Sequence, residues 1–207
     1  MAALDEDIVT LCGEGAYDRA TTLALQGLGP SVMRYLAARA RDDDLASEAF
    51  AHFAEDLWRG MRGFRGGSSV RVWAFSIARN ALGQVLRRRQ RERRRSRSFT
   101  SSVAGRVAAE VRSETLRYLK SETKQRFAAL RKRLSPDEQG LLVLRVNERL
   151  SWEEIARIML ESPTDAAVKR EAARLRKRFQ LVRDKLRKMA KDEGLLEPGE
   201  RSGESAR

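Results

Sequence analysis

The 207-residue sequence contains one cysteine, one histidine and four prolines. Cys12 has no second cysteine with which to form an internal disulfide, which fits a reducing compartment. His52 has no cluster of histidines or cysteines around it that could hold zinc, and the sequence has no phosphate-binding loop, serine-hydrolase elbow or zinc-protease motif. We therefore predict that the chain is not an enzyme and uses neither a metal nor another cofactor.

Long apolar runs are also missing, and none approaches the roughly 20 residues that a membrane helix requires. The first residues, MAALDEDIVTLC, are acidic and lack the basic and apolar regions of a signal peptide. We therefore expect a cytoplasmic protein. Strand signals are almost absent too, because there is no sustained period-two alternation and no Asn-Gly or Asp-Gly hairpin between apolar runs. The sequence predicts an all-α fold.

Positive charge is what the sequence has in excess: the net charge is +13 and the pI is about 10.7. Such a balance is typical of proteins that bind a polyanion, most often nucleic acid. The charge is unevenly distributed, because residues 1–60 contain five arginines, no lysine and eleven acidic residues. This acidic part cannot be the main phosphate-binding surface, and is either a surface for another protein or a solvated helical face.

Helical periodicity divides the chain into two small helical domains joined by a flexible linker. The linker covers residues 96–125, where large apolar residues are few; we expect flexible chain at 96–103 and a weak helix from about 104 to 133. The second domain covers residues 126–191, and a disordered tail covers 192–207. The first domain covers residues 1–95, with helices predicted at 4–12, 17–27, 31–41, 44–62 and 70–94, and with Pro30 in the first turn of the third.

Three similar motifs mark helix starts in the second domain. Each places a serine three residues before an acid, as in a capping box, although an aspartate in the last place is a weaker match than glutamate. The motifs are SPDE at 135–138, SWEE at 151–154 and SPTD at 162–165, and Pro136 and Pro163 fit first helical positions.

These starts predict short helices at 136–148 and 152–160, and a long helix from 163. The last two are separated by a tight turn around Glu161 and Ser162, and helices joined in this way form a helix-turn-helix. The long helix has one apolar face and several basic ones, which is typical of a core helix with a solvated face or of a recognition helix that offers its basic N-terminal half to DNA. The apolar face comprises Val168, Ala172, Leu175, Phe179, Val182, Leu186 and Met189.

The segment FRGGSSVRVWAFSIARN, at 64–80, combines aromatic, cationic and amide side chains around a Gly-Gly-Ser-Ser loop. Most of its apolar residues are core residues by default, but Phe64 and Trp73 lie on either side of the loop, where a base could approach. Aromatic side chains stack on bases, and Asn80 could read the edge of an unstacked base. The run RRRQRERRRSR at 87–97 follows, with eight arginines that could neutralise phosphates.

These segments resemble the sigma-70 family of bacterial RNA polymerase sigma factors, and above all its extracytoplasmic-function group. The stretch from Phe64 through the arginine run is similar to the promoter-melting segment, and DLASEAFAHF at 44–53 to the helix that docks on the clamp helices of the beta-prime subunit. LRKRLSPDEQGLLVLRVNERLSWEEIARIML and AAVKREAARLRKRF are similar to the helix-turn-helix that binds the −35 element. The resemblance covers roughly 8–95 and 126–190.

The resemblance implies a protein that directs core RNA polymerase to promoters, with the clamp helices and the beta flap as polymerase contacts. It implies three groups of site residues. The polymerase-binding group is Asp44, Leu45, Glu48 and Phe50; the −10 group is Phe64, Arg65, Gly66, Ser68, Ser69, Trp73, Arg79, Asn80, Arg87 and Arg88; and the −35 group is Lys169, Arg170, Ala173 and Arg174. In the −10 group, the loop would cradle a base flipped from the non-template strand while the arginines hold its backbone.

Two other interpretations remain open at this point. A stand-alone helix-turn-helix regulator explains the second half equally well, but not the segment at 64–80. A basic RNA-binding protein explains the charge and the aromatic residues, but not the helix-turn-helix. Small sigma factors of this type are commonly held by an anti-sigma factor, and nothing in the sequence decides whether this chain has such a partner.

Overall fold

The computed structural model describes residues 2–95 and 129–195. Within these ranges the fold is entirely helical and contains no strand, which confirms the all-α prediction. No helix in the described ranges is long and apolar enough to cross a membrane. The predicted linker and almost all of the predicted tail lie outside the described residues. The N-terminal half, residues 2–95, contains α1 (Ala2–Gly13), α2 (Tyr17–Ala40), α3 (Asp43–Met61) and α4 (Val70–Arg95).

The C-terminal half, residues 129–195, begins with a helical turn at 129–132. It continues with α5 (Pro136–Leu142), a π-helical turn (Val143–Asn147), α6 (Trp152–Met159) and α7 (Asp165–Asp192). The helix predicted at 136–148 is therefore divided, because its second part has the wider π-helical hydrogen bonding.

The core of the N-terminal half lies where α2, α3 and α4 pack together. Tyr35, Phe53 and Phe75 are fully buried there, and the rings of Tyr35 and Phe75 meet edge to face with centroids 5.6 Å apart. Burying one such side chain stabilises the fold by about 1.5–3 kcal/mol. Complete burial also raises the pKa of Tyr35. These aromatic residues therefore fix the position of α4 against α2 and α3.

Helix α2 runs without a break through Pro30, so the prediction of two helices at 17–27 and 31–41 is wrong. A proline inside a helix costs about 3 kcal/mol, because it lacks the N–H and crowds the preceding turn. Leu28 and Val32 are buried on either side of it, and the Cβ position of Gly29 lies 3.6 Å from Cζ of Phe50 on α3. Packing of both segments on one side of the core therefore offsets the local cost of Pro30.

Two of the three predicted helix starts in the C-terminal half are confirmed. Ser135 and Ser151 each accept a hydrogen bond from the backbone N–H of the glutamate three residues later, at 3.2 Å, and that glutamate accepts one in return. The third prediction is wrong, because α7 begins at Asp165 and its N-cap is Thr164, whose hydroxyl accepts from the N–H of Ala167. Pro163 consequently lies in the connection between α6 and α7 rather than in the helix.

The apolar face predicted for α7 is confirmed and packs in two places. Its N-terminal residues, with Val168 and Leu175 fully buried, join the main core together with Ile155 of α6. Its C-terminal part packs with Leu130 in a second, smaller cluster. Gly194, at φ +64°, ends the helix, and the N–H of the following residue bonds back to the carbonyl of Ala190 at 2.8 Å.

The two halves pack against each other and share the main core. Arg34 of α2 bonds to the carboxylate of Glu148 at 2.9 Å, and Arg39 bonds to Asp137 at the start of α5, also at 2.9 Å. Gly140 of α5 lies directly against Arg39, because a Cβ built there would be 2.4 Å from its Cδ. With Arg39 in this position, only glycine allows α5 to approach α2 this closely.

Candidate functional site

The Gly-Gly-Ser-Ser segment forms the connection between α3 and α4, and its conformation is set by the start of α4. Ser69 caps the helix, with its hydroxyl accepting from the N–H of Val72 at 3.3 Å. The N–H of Val70 donates to Oδ1 of Asp5 on α1, at 2.8 Å. Gly66 has φ +70°, a conformation that glycine adopts without strain. The loop residues 65–67 are exposed, and Ser68 and Ser69 are half-buried.

The two aromatic residues that flank the loop pack on each other. The ring centroids of Phe64 and Trp73 are 4.8 Å apart, with the ring planes 31° from parallel. Phe64 is only 8% exposed, and Trp73 is half-buried with the Cβ position of Gly60 3.0 Å from its ring. In this conformation Trp73 occupies the side of Phe64 on which a base could otherwise stack.

Two arginines of α4 bond to the C-terminal half, and one of them also bonds to Asn80. Arg79 donates to the backbone carbonyl of Met159 at the end of α6, and also to Oδ1 of Asn80 at 2.9 Å. Arg71 donates to the backbone carbonyl of Glu148 at 3.0 Å. Asn80 itself is exposed. The predicted −10 surface therefore lies at the boundary between the two halves.

A cleft of about 720 Å³ lies beside this boundary and is rich in arginine. Its walls come from α4, from the end of α2, and from α6 with the connection that follows it. Arg39, Arg79, Arg87 and Arg157 line it, together with Ser76 and Asn80 among its polar groups. The cleft is therefore electropositive, which suits it to anionic groups such as phosphates.

The C-terminal part of α4 is tied to α3 by two ion pairs across exposed surface. Arg88 lies 3.6 Å from Glu48, and Arg89 lies 3.2 Å from Asp42. The backbone N–H of Leu45, which donates to the Asp42 carboxylate at the start of α3, lowers the pKa of that carboxyl, with Arg89 adding to the effect. Arg88, a predicted −10 residue, is thus paired with Glu48, a predicted polymerase-binding residue.

The remaining residues of the predicted polymerase-binding group divide into surface and core. Asp44 is exposed, whereas Leu45 and Phe50 are buried against the other helices of the N-terminal half. In this conformation Leu45 and Phe50 support the shape of α3, and only Asp44 and the half-buried Glu48 reach the surface. Docking of α3 on polymerase stays a prediction.

The predicted −35 group forms an exposed face on the N-terminal half of α7. Lys169, Arg170, Ala173 and Arg174 are all exposed, opposite the buried apolar face of the same helix. Five residues, Leu160–Thr164, separate α7 from α6. The two helices also contact each other through aromatic rings: Trp152 on α6 packs edge to face on Phe179 of α7, with centroids 5.4 Å apart.

Three residues of this region were not singled out as site residues from the sequence: Asp5, Arg71 and Glu148. Arg71 lies within the basic and aromatic segment at 64–80, so its positive charge could have indicated a site residue. Asp5 contacts Val70, which is 65 positions away in the sequence, and Glu148 contacts Arg71, which is 77 positions away. Local sequence patterns contain no information about contacts between residues so far apart. Cys12 is half-buried, and burial raises the pKa of its thiol, in keeping with a packing residue.

Comparison with known proteins adds to this geometry. Residues 28–92 match the family model described as Sigma-70 region 2. The chain is 27% identical over 128 residues to the RNA polymerase sigma factor YlaC of Bacillus subtilis (strain 168), an alignment that covers 62% of this chain and 72% of that protein. No solved structure matches the chain significantly. The family match runs from α2 to near the end of α4 and includes the whole loop between α3 and α4.

Proposed function

Because this chain belongs to the sigma-70 family of RNA polymerase sigma factors, in its extracytoplasmic-function group, we propose that it binds core RNA polymerase, directs it to promoters and helps to melt the −10 element. The observation that carries the proposal is the match of residues 28–92 to Sigma-70 region 2, since these residues build the loop and the α4 surface described above. Core polymerase and promoter DNA are then the partners, and the cytoplasm is where the chain meets them.

Melting of the −10 element is assigned to the loop between α3 and α4, together with Trp73 and Asn80. The exposed glycines let a nucleotide approach the backbone, and the exposed amide of Asn80 can bond to the edge of a base. Stacking on an aromatic ring contributes roughly 1–3 kcal/mol per base, which offsets part of the cost of unpairing. Phe64 supplies such a ring once its packing with Trp73 opens. No covalent chemistry is needed for this step.

Recognition of the −35 element is assigned to α6 and α7 acting as a helix-turn-helix, with α7 as the recognition helix. The exposed cations Lys169, Arg170 and Arg174 lie on the first three turns of α7, which is the part that reaches base edges in such motifs. Arginine and lysine can bind guanine edges or phosphates there. The exposed Ala173 lies between them and allows the helix to lie close to the groove.

Polymerase binding is assigned to the surface of α3 that includes Asp44 and Glu48, with the clamp helices of beta-prime as partner. The acidic character of residues 1–60 supports this assignment, because that surface is then turned to protein rather than to DNA. The C-terminal half would meet the beta flap. An anti-sigma factor would be a further partner; neither half carries a feature specific to one.

The proposal is tested first by size-exclusion chromatography of the purified, nuclease-treated chain with bacterial core RNA polymerase at moderate salt. We expect a stoichiometric complex that gives run-off transcripts from candidate promoters. If the chain elutes alone without aggregating, the proposal that it is a sigma factor is wrong. A chain that instead binds duplex DNA tightly as a dimer without polymerase would be a stand-alone helix-turn-helix regulator, and one that prefers RNA at matched salt would be an RNA-binding protein.

Two variants of the polymerase-bound chain test the −10 assignment within the same experiment. Asn80→Ala and Phe64→Ala should weaken promoter opening, measured by permanganate reactivity of unpaired thymines, more than they weaken binding to duplex promoter DNA. Asn80 is the cleaner probe, because it is exposed whereas Phe64 is buried. Equal effects of Asn80→Ala on promoter opening and on duplex binding would contradict the proposal that Asn80 contacts a flipped base.

A further inference from the structure

Helix α1 lies along the loop between α3 and α4, contacts both of its ends and faces its middle. Near the start of the loop, Sγ of Cys12 is 3.9 Å from the backbone carbonyl of Met61, the last residue of α3. In the middle, Val9 faces Gly66, because a Cβ built on this glycine would lie 3.7 Å from Cγ2 of Val9. At the end, Asp5 accepts the hydrogen bond from Val70. Residues 5, 9 and 12 share one face of a helix, so α1 supports the loop along its length.

The bond from Val70 to Asp5 serves a backbone group that α4 cannot satisfy. Val70 is the first residue of α4, and the first N–H groups of a helix have no partner within it. Val70 is also fully buried, so without an acceptor its N–H would carry the cost of an unsatisfied buried donor. A carboxylate at this point is favoured further by the positive end of the helix dipole.

The contacts that the loop makes within itself are short-range. The guanidinium of Arg65 bonds to the backbone carbonyls of Arg62 and Phe64, which lie three residues away or fewer. Residues 65–67 are exposed, and Gly66 has the broad conformational freedom of glycine. The contacts with α1 therefore act together with the packing of Phe64 on Trp73 and the Ser69 cap to select one conformation of this loop.

We propose that Asp5 is a positioning residue for promoter melting: it fixes the junction of the loop with α4, so that less of the loop has to be ordered when the flipped base binds. The inference rests on the proposed function, and it gives α1 a role that the family match does not include, since the match begins at residue 28. Preorganisation acts by removing the entropy cost of ordering the loop when the base binds. Asp5 itself need not touch DNA.

The test uses the full chain bound to core polymerase and a fluorescent single-stranded oligonucleotide that carries the non-template −10 sequence of a responsive promoter. Asp5→Ala removes the acceptor, whereas Asp5→Asn keeps an oxygen that can accept the bond. Asp7→Ala is the matched control, since it removes the same charge from an exposed position of the same helix. We expect Asp5→Ala to weaken oligonucleotide binding about ten-fold, Asp5→Asn to recover most of that loss, and Asp7→Ala to change it by less than two-fold.

A second variant keeps the test decisive if Asp5→Ala folds poorly. Val9→Ala shortens the side chain that faces the middle of the loop, and this side chain is 47% exposed, so the change leaves the core intact. It should weaken oligonucleotide binding a few-fold while affinity for polymerase is unchanged. Wild-type binding in both Asp5→Ala and Val9→Ala would overturn the proposal. Parallel losses of polymerase and oligonucleotide binding would also overturn it, because α1 would then support the whole half and not the loop.

Hydrogen exchange separates a failure of this inference from a failure of the proposed function. In the free chain, Asp5→Ala should speed amide exchange at Val70 and across residues 64–69 relative to Asp7→Ala. If wild type binds neither polymerase nor the oligonucleotide, the proposed function fails, and this exchange measurement still decides whether Asp5 orders the loop. Unchanged exchange in Asp5→Ala would overturn the positioning role even if the chain proves to be a working sigma factor.

Discussion

Replacement of Gly140 by alanine tests whether the two halves pack in solution as they do in the structure. A Cβ at this position would lie 2.4 Å from Cδ and 3.1 Å from Cγ of Arg39, and 3.3 Å from Cε2 of Tyr35. Both neighbours belong to α2. The variant can therefore be accommodated only if Arg39 moves, which breaks its 2.9 Å ion pair with Asp137, or if α5 shifts away from α2.

Two opposing terms set the magnitude of the effect. Alanine is a better helix former than glycine by about 1 kcal/mol, which would stabilise α5 if nothing else changed. Overpacking against Arg39 and Tyr35 costs about 1–3 kcal/mol, and loss of the partly exposed ion pair adds up to about 1 kcal/mol. We therefore expect Gly140→Ala to lower the free energy of unfolding by about 1–2 kcal/mol.

The second arm of a double-mutant cycle isolates the contact with Arg39. In an Arg39→Ala background the crowding Cγ and Cδ atoms are gone and only the 3.3 Å approach to Cε2 of Tyr35 remains. The helix propensity of alanine offsets that contact, so Gly140→Ala should change stability by less than about 0.5 kcal/mol. Urea unfolding followed by circular dichroism gives each free energy, and Gly13→Ala, at a glycine with no neighbour within 4 Å, is the control. Additive effects of the two substitutions would refute the packing of α5 on α2.

Two further predictions concern the C-terminal half. Ser151→Ala removes a helix cap that the structure contains and should lower the free energy of unfolding by about 1 kcal/mol, whereas Ser162→Ala, which removes a serine that caps nothing, should change it by less than about 0.5 kcal/mol in the same urea titration. Lys169→Ala should reduce the salt dependence of binding to duplex −35 DNA, lowering the slope of log K against log salt by about one, whereas Lys188→Ala, near the other end of α7, should leave the slope unchanged; equal slopes for the two variants would argue against contact of this face with phosphates.

The success of sequence reasoning depended on the range of the interactions involved. Ser135 and Ser151 were readable as helix starts because a capping box lies within four residues. Ser162 has the same spacing, yet the helix begins two residues later than this motif predicts. Thr164 is its cap, because the Thr164 hydroxyl accepts a hydrogen bond from the N–H of Ala167. The helix break predicted at Pro30 was wrong for the opposite reason. The free-energy cost of a proline inside a helix is offset there by packing on α3, which no local sequence pattern reveals.

The candidate site divides in the same way. The residue types at 169–174 were sufficient to predict an exposed cationic helix face, whereas the aromatic residues at 64–80 are buried or half-buried. The residue types at 64–80 did not reveal that Phe64 packs on Trp73, because that depends on how the loop folds back between two helices. Nor could they reveal the bond from Val70 to Asp5, which joins residues 65 positions apart.

If α4 binds the −10 strand as proposed, the contacts of Arg71 and Arg79 with the C-terminal half make that half a competitor on the same chain for one face of α4. The guanidinium N–H groups that bond to these carbonyls are not free to bond to the phosphate of a −10 strand, so contact with the C-terminal half reduces what this face can offer to DNA. Because the competitor is part of the same chain, dilution does not remove it, and the apparent affinity for DNA scales with the fraction of molecules in which the halves are apart. Salt weakens the ion pairs that join the halves as well as the phosphate contacts that replace them. The halves also share an apolar core that salt does not weaken, so added salt lowers the affinity of the free chain for −10 DNA mainly through the phosphate contacts, while the C-terminal half stays in place.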